Sequence, residues 1–550
     1  RKHAGAIGYP GHYTILDRDD SKSIIASYLK KKKLAGTDFP RPLVLLSLFS
    51  AAANTEIPVE DMIEEKLGDS LVDLDKVVET HENYQETKKD MGAMDFDDLL
   101  VNCLRLFREN PGIASKYQEQ FLHVLVDEYQ DTNTIQAELV ERISQKHRNL
   151  FVVGDDFQSI YSWRGAVFKN IISFPERYPE VKTYKLETNY RSIPEILLIA
   201  NACIKGNPHQ FQKTLRPTRE TSRKPTLVKV KNDEAQAQYI IDEIHRMKRD
   251  GYNPSDIAVL YRAHFHSMRL QMMLAREDIP YVITSGVRFF EQAHIKDVCS
   301  LLRVLTGPSD KIAFCRLLEM LPGTGPRTAD RIWDLLGNRF NSEDSSCMAE
   351  IANSLRQQAR PLWKSMASVI EEYHRENLCR NPGQAVYRFV EEFYGHYLSS
   401  NYEKSDRRAD DIKELVIYMG KFESAQDFLS DVALMTNIDT EHPSLKTEAE
   451  EGIRLSTVHQ AKGLEWPAVF VIWTTENMFP SARTMKESGD GESEERRLFY
   501  VAVTRAADEL HLCAPELRRT RDGKLIYCPP SRFVEEIPDE LFDHRRPVYF

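Results

Sequence analysis

Asp127 and Glu128 close an apolar run, Phe121–Val126, and Asp155 and Asp156 close a second, Leu150–Val153, one glycine later. Apolar, β-branched runs of this length predict strands buried on both faces of a parallel sheet. Ligands of such sheets sit beyond the carboxyl ends of the strands, so two acidic clusters delivered there suit a magnesium and phosphate site. An Asp can hold Mg2+ directly or through water, and the adjacent Glu can orient or deprotonate an attacking water. The plainer alternative is that Asp127 and Glu128 only open the next loop and a helix from about Thr132, with Asp131 or Thr132 as N-cap. Gln158–Arg164 (QSIYSWR) adds an amide that can sense a phosphate or a water, and the Arg164 guanidinium. Within the same seven residues Tyr161 and Trp163 offer flat surfaces to bases. Packing of Trp163 beneath a neighbouring domain is the alternative.

The elements that must carry these groups are legible in outline. Residues 55–120 read as amphipathic helices, and Lys30–Lys33 as a helix end whose lysines complement the dipole or touch a phosphate backbone. Within Met94–Leu100, Asp97 or Asp98 reads as a helix cap. Val181–Leu186, Leu227–Val230 and Ile257–Tyr261 read as strands, with a helix from about Glu234 to Arg249. Leu321–Ile332 (LPGTGPRTADRI) is half of a helix-hairpin-helix whose Gly323 and Gly325 amides face a phosphate, or a plain Gly/Pro turn. Thr436–Glu451 reads as a polar, acidic linker and Ser481–Glu495 as a flexible surface loop.

At 550 residues the chain holds several domains, and 41% hydrophobic with 29% charged residues describes a soluble globular protein. No run reaches the length of a membrane helix and no signal-peptide pattern opens the chain. The eight cysteines form no CxxC pair, which fits reduced thiols in a cytosol and argues against a structural zinc. The net charge of −11 does not advertise nucleic acid, although a basic groove can coexist with an acidic exterior.

DEYQD at 127–131 followed by GDDFQSIYSWRGA at 154–166 resembles motifs II and III of the UvrD, Rep and PcrA group of superfamily 1 DNA helicases. Further blocks that resemble that family follow in its order: TILDRDDSKSII at 14–25, MDFDDLL at 94–100, ETNYRS at 187–192 and YRAH at 261–264. TVHQAKGLEW at 457–466 and EERRLFYVAVTRAA at 494–507 complete the set. The resemblance implies an α/β fold of two RecA-like parallel-sheet domains, the first incomplete, with helical 1B and 2B insertions. Its expected bounds are a 1B-like region at 1–105, the remainder of domain 1A at 106–180, domain 2A at 181–306 and 452–550, and a 2B-like subdomain at 307–451. It implies ATP and Mg2+ as cofactors, bound between the first and second domains. Asp127 and Glu128 would handle Mg2+ and water, and Gln158 would couple the γ-phosphate to DNA. Tyr190 would stack on adenine, Glu465 face the ribose, and Arg191 and Arg505 stabilise the transition state. Tyr161, Trp163, Arg164, Arg262, Thr457 and His459 would face DNA. Gln292 and His294 stand where more familiar members carry Arg and Glu, so a role for that pair is not carried over.

The activity implied is ATP-dependent 3′ to 5′ movement on single-stranded DNA and at single-strand/duplex junctions, in DNA repair or replication restart, in a bacterial cytosol and off the membrane, with repair or replication proteins as partners. One element is missing. ATP hydrolysis in this class uses a GxxxxGK[ST] loop, whose backbone amides and Lys hold the phosphates, and no such string occurs in the 550 residues. The expectation is a helicase chain that lacks its N-terminal part and by itself hydrolyses ATP poorly. The alternative is a non-catalytic DNA-binding or regulatory protein, against which stands the retention of the nucleotide-side residues.

Overall fold

Strands covered on both faces are mostly apolar, and Ile257–Tyr261 (IAVLY) is fully buried at every position. It lies near the centre of a seven-stranded sheet. The structure, a computed structural model, describes residues 1–34, 39–67, 73–162, 165–284, 289–403, 405–432, 451–487, 490–520 and 524–548. The chain divides into two compact units, one comprising residues 1–179, 308–371 and 389–409, the other 180–307, 372–388 and 410–550.

In the first unit, helices Arg18–Lys31, Pro42–Thr55, Val59–Leu67 and Leu74–Asp90 close around Ile25, Leu45, Phe49, Ile63, Val77 and Tyr84. The helix Phe96–Glu109 is capped by Asp95 in a reciprocal box with Asp98, not by Asp97 or Asp98. Lys88, 1% exposed, binds both of those carboxylates at 2.5 and 2.7 Å, so the cap is also a buried ion cluster. Strands β1 (Val124–Val126) and β2 (Leu150–Val152) pair in parallel, joined through the helix Thr134–Ser144. That helix starts later than the sequence suggests. Its N-cap is Asn133, boxed with Gln136, because Tyr129–Asp131 is spent on a single 3-10 turn. Nor are the two strands buried on both faces. Leu125 and Phe151, opposite one another in register, are 72% and 56% exposed, since alternation turns them to the side away from Val124 and Val126.

The second unit is built on β3 (Thr226–Val230), β4 (Ile257–Tyr261), β5 (Tyr281–Ile283), β6 (Ile453–Thr457), β7 (Trp466–Val471), β8 (Ala506–Pro515) and β9 (Asp543–Arg545). Their order is β9-β3-β8-β7-β4-β6-β5 and every pairing is parallel. The helix Asp233–Arg249 packs Ile240, Ile244 and Met247 onto Val228, Val259 and Phe470. Glu509 on β8, 2% exposed, takes hydrogen bonds from Arg246 at 2.6 Å and Tyr252 at 3.0 Å and pairs with Arg223 at 2.8 Å. The fold is therefore α/β with a large parallel sheet, as expected.

Two local expectations fail. No strand forms at 181–186, where Tyr184 and Leu186 are exposed and pairing begins only at Thr188–Asn189. Ser481–Glu495 is not a surface loop: the helix Gly491–Val503 begins inside it, and Glu495 is 1% exposed because it serves as a buried counter-ion, described below. Most of the 436–451 linker lies outside the described residues. Among the described residues no helix is long and apolar enough to cross a membrane.

Candidate active site

The two acidic strand ends of the first unit are wired together through Gln130. Glu128 sits in the left-handed region, φ +49°, a conformation that costs a non-glycine residue free energy and clusters at functional sites. It is held there by its amide on the Asp127 carboxylate at 2.8 Å and by its carbonyl accepting from the Asp131 amide at 2.9 Å. The buried Gln130 amide donates to Glu128 Oε2 at 2.6 Å, while its Oε1 accepts from the Asp155 amide at 2.9 Å. Asp155 in turn accepts from the Gln158 side chain at 2.7 Å. Gly154 is required by this closure, since a Cβ there would stand 2.5 Å from Gln130 Oε1. Asp127 and Glu128 remain exposed.

That donor set can hold a hard cation. Mg2+ takes oxygen ligands and usually needs one or two carboxylates, completing its shell with water and phosphate oxygens. No cluster of three or more His, Cys, Asp or Glu groups suited to a metal occurs among the described residues, so Asp127 and Glu128 fit such a partial site and not an all-protein cage. Tyr161 is half-buried three residues beyond Gln158. Trp163 and Arg164 lie outside the described residues.

In the second unit Tyr190, Arg191, Glu465 and Arg505 come to the amino-terminal ends of β7 and β8. Arg191 Nε donates to Glu465 Oε2, and its Nη1 to the Thr504 carbonyl at 3.1 Å. Arg505 is buried and donates to the carbonyls of Val501 at 3.1 Å and Leu464 at 3.0 Å. Tyr190 is 76% exposed, a ring with no core role. Arg219 fixes this corner: it donates to the Arg191 carbonyl at 2.6 Å and binds Asp508 at 2.5 Å.

Thr457, the last residue of β6, and His459 lie at the opposite, carboxyl-terminal edge, with Thr457 buried and His459 half-buried. Strands of five or six residues separate the two edges by roughly 17–20 Å. Arg262, which follows β4 on that edge, is turned inward. It binds Glu495 Oε1 through Nε at 2.8 Å and Nη2 at 2.7 Å, and Thr484 Oγ1 at 3.0 Å. Burial opposes its charge, yet Glu495 holds its pKa above the usual guanidinium value. Burial first, then the charges of Arg262 and Arg518, hold the neighbouring His266 far below the usual imidazole range. The LPGTGP turn places Gly323 at φ +70° and, with Arg41 and Tyr397, lines a groove of about 520 Å3 in the first unit.

The sequence alone does not single out Gln130, Arg219 or Glu495. Gln130 stands inside DEYQD, but its partner is an amide 25 residues away, and nothing local marks it.

The first unit thus carries linked acidic ends on a parallel strand pair, and the second carries a two-arginine corner on its parallel sheet. Residues 1–179 match the UvrD/REP helicase N-terminal domain and residues 184–516 the UvrD-like helicase C-terminal domain. The chain belongs to the UvrD-like helicase family. It is 32% identical over 564 residues to the ATP-dependent DNA helicase PcrA of Staphylococcus aureus (strain MRSA252), covering 99% of this chain and 75% of that protein. A Staphylococcus epidermidis PcrA is likewise 32% identical, over 558 residues and with the same coverage.

Proposed function

We propose that this protein is an ATP-dependent helicase that moves 3′ to 5′ on single-stranded DNA and opens duplex at single-strand junctions, in bacterial DNA repair or replication restart. The observation that carries the reading is the hydrogen-bonded path Glu128–Gln130–Asp155–Gln158, which ties a water-orienting carboxylate to a phosphate-sensing amide. Asp127 and Glu128 would hold Mg2+, which when bound offsets phosphate charge. Glu128 orients the attacking water, Gln158 reports the phosphate state, and Arg191 and Arg505 meet the charge that develops on the phosphoryl oxygens. Tyr190 stacks on the base and Glu465 faces the ribose. Thr457, His459 and Tyr161, with Trp163 and Arg164, face the DNA strand. Arg262, committed to Glu495, positions the β4 edge instead of contacting DNA. The proposed division keeps 1–105 and 307–451 as the 1B- and 2B-like parts and 106–180, 181–306 and 452–550 as the motor. It acts in the cytosol beside repair or replication proteins.

The test is ATP hydrolysis with and without single-stranded DNA, by this 550-residue chain and by a longer form made by joining a GxxxxGK[ST]-bearing segment to it. Hydrolysis in the longer form, raised by DNA and abolished by Glu128→Gln, is expected. DNA binding without hydrolysis in both forms would instead favour a regulatory protein.

A further inference from the structure

Arg191 and Arg505 are held in different ways, and the difference carries a role for Glu465. Arg505 is buried and donates to backbone carbonyls. Arg191 gives one bond to a backbone carbonyl, that of Thr504, and is otherwise paired to a carboxylate that is 60% exposed. The backbone on both sides of Glu465 is pinned by Arg505: its side chain binds the Leu464 carbonyl, and its own carbonyl accepts the Trp466 amide at 3.0 Å. Arg505 thus fixes the backbone that carries Glu465, whose carboxylate reaches Arg191. An ion pair this exposed lies in a high dielectric and is worth little, so a multiply charged anion displaces it easily. Together with the Thr504 carbonyl it orients the guanidinium, and it offsets the charge until then.

We propose that Glu465 is the resident counter-ion of Arg191, exchanged for the terminal phosphates of a nucleoside triphosphate when it binds. This rests on the nucleotide reading given above and adds to it a positioning role for Glu465 that is separate from any contact with the ribose. With the corner empty, the pair keeps Arg191 off other anions; with a triphosphate present, the carboxylate is freed and turns to solvent.

The two roles separate with a probe that has no ribose. Tripolyphosphate is titrated calorimetrically into the full chain as wild type, Glu465→Gln, Glu465→Ala, Arg191→Ala and the Arg191→Ala/Glu465→Gln double variant. Both Glu465 variants are expected to bind tripolyphosphate about two- to fivefold more tightly than wild type at low salt, the range of an exposed ion pair. The gain should shrink as salt is raised and vanish where Arg191 is absent. Unchanged or weaker binding by the Glu465 variants overturns the proposal, as does a gain that survives loss of Arg191. Failure of the nucleotide reading looks different: no form then binds tripolyphosphate, or Arg191→Ala binds it as wild type does, and the proposal falls with it.

Discussion

Arg262→Ala separates a structural from a DNA-contacting role for a residue whose sequence context suggests the latter. The guanidinium makes contacts of 2.7 and 2.8 Å to Glu495, whose side chain is 1% exposed and also accepts from the Ser481 amide at 3.0 Å. Truncation leaves that carboxylate buried with a single amide partner from this set. Breaking a buried pair from one side costs about 3–5 kcal/mol, a large share of the roughly 5–15 kcal/mol that stabilises a domain. At about 2–4 °C per kcal/mol for a unit of this size, the transition of the sheet-bearing unit should fall by roughly 6–20 °C. Differential scanning calorimetry measures it, and fluorescence anisotropy with a labelled oligonucleotide, well below the transition, measures DNA binding. Replacing both partners with apolar residues, Arg262→Met with Glu495→Leu, should restore much of the loss, because neither charge is then stranded. A thermally unchanged Arg262→Ala that loses DNA affinity would refute the reasoning and return Arg262 to the DNA.

Three other outcomes follow from the geometry. Gln130→Leu keeps the volume but removes both hydrogen bonds that join Glu128 to the Asp155 amide; in a form competent for hydrolysis, turnover should drop about 10- to 100-fold, as for lost outer partners of metal ligands, and an unchanged rate would sink the coupling argument. Gly154→Ala puts a methyl 2.5 Å from Gln130 Oε1 and 2.7 Å from Ile171 Cδ1, so a loss of about 1–3 kcal/mol is expected by urea denaturation. Burial pushes the Glu509 carboxyl up, but hydrogen bonds from His511 and Arg246 prevail and hold it at about 2, against 4.5 unfolded. The folded pKa is the lower one, so its stabilisation is complete above about pH 5 and fades as pH falls toward 2; the difference in melting temperature between wild type and Glu509→Gln should shrink over that window, and a constant difference would contradict it.

Ordered motifs made the family legible, and apolar runs made two sheet strands of the second unit legible, because a strand covered on both faces is mostly apolar. Leu227–Val230 and Ile257–Tyr261 fall where the pattern places them. The same pattern misleads at Val181–Leu186, which forms no strand, and at Leu125 and Phe151, which alternate onto an exposed side; an apolar run states what a residue is and not what stands beside it. Helix starts differ by a few residues from the sequence pattern at Asn133 and Asp95, since several carboxylates and amides in a row can cap and only backbone geometry chooses among them. The sequence by itself determined the chemistry carried at each strand end: which positions hold carboxylates, amides, aromatic rings and arginines. Only the tertiary structure decided how each is spent. Gln130 bridging two strands, Arg262 buried on Glu495 and Arg191 held by Glu465 depend on partners tens to hundreds of residues away. A side chain's charge is fixed by its covalent structure, but its availability depends on which opposite charge the fold brings within hydrogen-bonding distance.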